Sequence, residues 1–146
     1  LAGREGKGIV NPEQADEVMG RIAAELTALR DPKNDAQVVL RVDRAKDVYS
    51  GERVSQAPDL VVGYNVQYGC SDASTLGEVV EPIIEDNLSR WSGNHLMAPE
   101  VVPGVVLMNR KLTRSGYNLT DVTVSILDYY GLPPGKGMVG KSMFRN

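Results

Sequence analysis

The apolar residues of this 146-residue chain fall into a long stripe with helical spacing, three short runs and a second stripe. That order of periodicities restricts the fold more than any other feature of the sequence. Ala15, Val18, Met19, Ile22, Leu26 and Leu29 recur three or four residues apart, the spacing of one face of an α-helix. Asn11 can cap this helix, Pro12 suits its first turn, and Gln14 stands where a capping box needs it. Glu13, Asp16 and Glu17 lie at the positive end of its dipole. Asp31-Pro32 stops it. The spacing predicts a helix from Pro12 to about Leu29 whose stripe faces a core.

The shorter runs read as strands. Gln37–Val42 is one, followed by a short helical turn over Arg44–Tyr49. Asp59–Tyr64, placed after Ala57-Pro58, is a second, with the compact apolar pattern of a buried strand. Pro82 argues against a central strand over Glu78–Ile84. Within the apolar run Val101–Met108, Gly104–Asn109 is expected to be a third strand, buried in the core. A second helix starts near Thr120 with Asp121 in its first turn; Val122, Ile126, Leu127 and Tyr130 form its apolar side. Gly131, then Pro133-Pro134, ends it. The tail, Gly135–Asn146, is glycine-rich and basic and is expected on the surface. Helix, strand, strand, long loop, strand, helix is an α/β order, in one domain spanning residues 1–146.

Composition removes several classes of function. A net charge of -3 lacks the basic excess typical of nucleic-acid binders, and no stretch is long or apolar enough for a membrane-spanning helix. The single cysteine, Cys70, can form no internal disulfide and no CxxC metal site; it reads as a small, partly buried side chain. Gly3–Gly8 is glycine-rich, but it lacks the GxxxxGK[ST] spacing of a phosphate loop. It is read as a plain loop in which Arg4 and Lys7 are possible anion contacts. The first residue is Leu1 rather than Met, which reads as a processed product, an engineered chain or a piece of a longer one. No targeting segment is visible.

The chemistry concentrates in Trp91-Ser92-Gly93-Asn94-His95, which holds the only tryptophan and the only histidine of the chain. A histidine on a glycine-containing loop beside an expected core strand is a candidate metal ligand or acid/base group. By spacing alone, a structural or surface histidine is the commoner outcome. Asp59, Asp72 and Asp86 are carboxylates available to a metal, but their spacing selects none of them. Catalytic divalent sites usually take three protein ligands. No serine stands in a defensible triad order with His95.

Several stretches, in order, resemble the C-terminal portion of the type I phosphodiesterase/nucleotide pyrophosphatase family of the alkaline phosphatase superfamily, in particular its predicted phosphohydrolase/phosphomutase branch. They are Gly3-Arg4-Glu5 with Gly8-Ile9-Val10, Ala28-Leu29-Arg30-Asp31-Pro32, and Ala57-Pro58-Asp59-Leu60-Val61-Val62. Glu85-Asp86-Asn87 follows, with Arg90-Trp91-Ser92-Gly93-Asn94-His95. Val102-Pro103-Gly104-Val105 and Gly131-Leu132-Pro133 with Met138-Val139-Gly140-Lys141-Ser142 complete the set. Together they cover nearly the whole chain.

The resemblance implies part of a three-layer α/β sandwich of alkaline-phosphatase type, carrying the C-terminal part of the sheet and at least two helices. It implies a parent that hydrolyses phosphate esters with two divalent metal ions, usually zinc, and a Thr or Ser nucleophile. His95 matches the metal-binding histidine of the family's late Gly-x-His motif. Asn94, where this branch commonly has Asp, and Asp86 are candidates to accept a hydrogen bond from the other ring nitrogen of His95 and so fix the imidazole tautomer. The family's Asp-His-Gly motif is not in this sequence, nor is a second histidine. The expectation is a C-terminal fragment of a metal-dependent phosphohydrolase, inactive alone, with the metal weakly held or absent. The alternative is a stand-alone, non-catalytic binding or regulatory module that retains the fold. A small enzyme using Cys70 or a hydroxyl nucleophile is the least favoured reading. A sheet lacking its first strands would also expose an edge and an apolar face, so self-association is expected.

Overall fold

A computed structural model describes residues 1–79, 81–91, 93 and 95–145. Among these residues the chain is α/β, with several helices and a two-stranded antiparallel sheet. It gathers into two compact units, Leu1–Pro103 and Gly104–Asn146.

In the first unit the predicted helix is present. Pro12–Gln14 forms a 3-10 turn that runs into α1, Ala15–Ala28. The Asn11 N–H donates to Gln14 Oε1 at 3.3 Å, one half of the expected capping arrangement. Ala15, Val18, Met19, Leu26 and Leu29 of the stripe are half-buried, while Ile22 stays exposed. α1 packs against β1, Val39–Arg44. β1 leads directly into the short helix α2, Ala45–Val48, as the sequence suggested. Arg44 reaches back to α1, donating from Nη1 to Asp16 Oδ1 at 2.6 Å.

β2, Leu60–Tyr64, pairs antiparallel with β1, from Arg44 opposite Leu60 to Val39 opposite Tyr64, with one irregularity between Val39 and Arg41. Val38, Val39, Ala45 and Ala98 are this unit's buried apolar residues. Gly63 is the tight point. A Cβ there would stand 2.9 Å from Arg41 Cγ and 3.0 Å from Ala98 Cβ, closer than packed carbons tolerate. α3, Asp72–Thr75, is a single turn capped by the Ser71 hydroxyl, which accepts from the Ala73 N–H.

Asp31, the residue that ends α1's connection, is 8% exposed. Its carboxylate accepts the Lys33 N–H at 2.8 Å and the Tyr68 hydroxyl at 2.8 Å, and these bonds hold it below the usual carboxylate range. The stop signal read as Asp31-Pro32 is therefore also the anchor of the following turn.

The second unit is built on α4, Leu119–Tyr129. Its end follows the sequence closely. Gly131 takes φ +70°, its N–H donates to the Asp128 carbonyl at 3.0 Å, and the Leu132 N–H donates to the Leu127 carbonyl at 2.9 Å. This is the Schellman arrangement that satisfies the last carbonyls of a helix.

Asp121 does more than favour the dipole. Only 4% exposed, it accepts the Asn118 N–H at 2.9 Å, the Lys141 N–H at 2.7 Å and Arg114 Nη2 at 2.6 Å. These donors pull its pKa down to about 2. The tail lies on the surface over residues 135–139, as expected, but its end is pinned. The Met143 N–H donates to Ser125 Oγ at 2.8 Å, Ser142 Oγ to Asp128 Oδ2 at 2.6 Å, and the Met143 side chain is 2% exposed.

The expected third strand is not formed. Residues 104–109 are irregular and exposed, with Val105 at 82% and Leu107 at 90%. The composition suits a strand, but strand structure requires a neighbouring ladder, and among the described residues none pairs with this run.

Two stability predictions follow from these contacts. Gly63→Val should lower the unfolding free energy by about 1–3 kcal/mol through overpacking, read by urea denaturation; an unchanged midpoint would refute the tight contact. Asp121 has a folded pKa of about 2 against an ordinary 3.8, so its stabilisation is complete above the higher value and is lost as pH falls through the lower one. Asp121→Asn should therefore destabilise α4 at neutral pH and flatten the acid limb of its stability profile, followed through the α4 amide signals. A mutant profile parallel to the wild type between those two pH values would contradict this role.

Candidate functional site

The position of His95 is set by the backbone that follows it. The Tyr64 N–H donates to the Leu96 carbonyl at 3.1 Å, and the Ala98 N–H donates to the Tyr64 carbonyl at 2.9 Å. Met97 thereby bridges Tyr64 in the parallel sense, and Ala98 is fully buried beside Gly63. His95 thus stands just before the Leu96–Ala98 segment, which bridges Tyr64 of β2 in the parallel sense. The core neighbour of the histidine loop is β2, rather than the run at 101–108.

The approach to His95 is organised by polar side chains. Asp86 accepts from Lys33 Nζ at 2.6 Å. Asn87 Nδ2 and Ser89 Oγ both donate to the Trp91 carbonyl, at 2.8 and 3.0 Å, folding 87–91 onto itself. The Trp91 ring is 87% exposed, and His95 is exposed too. Asn94 lies outside the described residues.

The other candidates are dispersed or engaged. Asp59 is held by Arg4, with Nη1 on Oδ1 at 2.8 Å and Nη2 on Oδ2 at 2.5 Å, and the guanidinium keeps this carboxyl below its ordinary range. Arg4, considered as an anion contact, therefore ties the N-terminal loop to the start of β2. Asp72 opens α3. Cys70 is half-buried, its thiol directed at the Ser71 carbonyl at 3.4 Å. Burial, then the neighbouring Cys70, pushes the Tyr64 phenol above its usual pKa.

Among the described residues no three His, Cys, Asp or Glu side chains gather as a metal-binding group. The residues present thus fit a zinc ion only as a single imidazole donor. A groove of about 390 Å³ in the second unit is lined by apolar groups including Val122, Tyr129, Met143 and Phe144; it contains neither carboxylate nor imidazole. Among the described residues no helix is long and apolar enough to cross a membrane.

Sequence reasoning missed the partners that fix the site: Lys33 for Asp86, and Leu96–Ala98 for Tyr64. The available signal was the small-residue pair Gly63 and Ala98, each beside an apolar run and suited to close backbone approach. Compared with protein-family models, with curated proteins and with solved structures, the chain finds no match.

With one imidazole donor, and with Asp59 and Asp86 each held by a cation, zinc titrated into this chain should give weak, non-saturating heat in calorimetry. Tight one-to-one binding would overturn the single-donor reading.

Proposed function

We propose that this chain is the C-terminal part of a two-metal phosphohydrolase of the phosphodiesterase/nucleotide pyrophosphatase type, with the alkaline-phosphatase three-layer sandwich as its complete architecture. His95 is one ligand of a zinc ion. The nucleophile and the remaining ligands belong to sequence outside these 146 residues, and the substrate is a phosphate ester. The reading rests on the ordered resemblance from Gly3-Arg4-Glu5 to Lys141-Ser142. The observation that carries it to a site is the tether of His95: the chain's one histidine immediately precedes the Leu96–Ala98 segment, which is bonded to Tyr64 of β2.

When bound, paired metal ions supply polarisation of the phosphoryl oxygens. The contribution of this chain is positional. The Leu96–Ala98 pairing fixes the histidine backbone, and the Lys33–Asp86 pair and the Asn87–Trp91 turn shape the loop before it. The unpaired run 104–109 accords with a sheet whose other strands lie elsewhere.

A second reading, a non-catalytic module with the same fold, draws support from the engagement of Asp59 by Arg4 and of Asp86 by Lys33, which leaves His95 without nearby free acids among those candidates. The two separate in the longer protein. His95→Ala should reduce bound zinc and lower phosphodiester hydrolysis by at least about 100-fold, since even the partners of metal ligands contribute 10–100-fold. Undiminished zinc content and turnover would remove His95 from the ligand set.

A further inference from the structure

We draw no further inference here: the strongest candidate, the apolar groove along α4 lined by Val122, Tyr129, Met143 and Phe144, with the Arg110 guanidinium stacked 4.5 Å over the Tyr129 ring, carries none because nothing in the structure shows what covers it.

Discussion

A buried aspartate organises each unit. Asp31 in the first accepts the nearby Lys33 N–H and the hydroxyl of Tyr68, 37 residues on; Asp121 in the second accepts the Asn118 and Lys141 N–H groups and the Arg114 guanidinium. A carboxylate removed from water is costly unless such donors replace the lost hydration. Here the donors come from the loops, so satisfying the charge and fixing the loops are one event. This matters because, among the described residues, few apolar side chains are buried: four in the first unit and two in the second, Val124 and Met143. Among the described residues no buried side-chain nitrogen or oxygen lacks a partner. The loops around these small cores are therefore fixed by polar pairing as much as by apolar burial.

That division explains what could be read from sequence. Asn11-Pro12, Asp121 and Gly131 act within one helical turn, and each marks a helix boundary in the sequence as in the structure. β1 and β2 were legible because their apolar runs sit between clear breaks. The run at 104–109 has equal strand propensity, yet propensity describes a surface that fits a neighbour, and no neighbour is present. The tail was legible in part. It lies on the surface over residues 135–139, but the backbone N–H groups of Lys141 and Met143 are held by Asp121 and Ser125, partners 20 and 18 residues away.

The candidate site shows the same limit at longer range. The singularity of His95 was plain from composition, and its loop from Gly93. The pairing of Asp59 with Arg4 and of Asp86 with Lys33 spans 55 and 53 residues. No periodicity reports such contacts, because they depend on how loops meet after the sheet has formed. The Leu96–Ala98 bridge was hidden by its brevity: Met97 alone pairs with Tyr64.

The contact between Gly63 and Ala98 has a consequence for how this chain can vary. The sheet admits the segment after His95 only because position 63 offers a hydrogen atom where every other residue offers a carbon. Drift at position 98 is then confined to the smallest side chains, and an increase in volume at either position would press on the backbone segment that follows His95. The volume limit of the sheet and the address of the histidine are thus written at a residue with no side chain of its own.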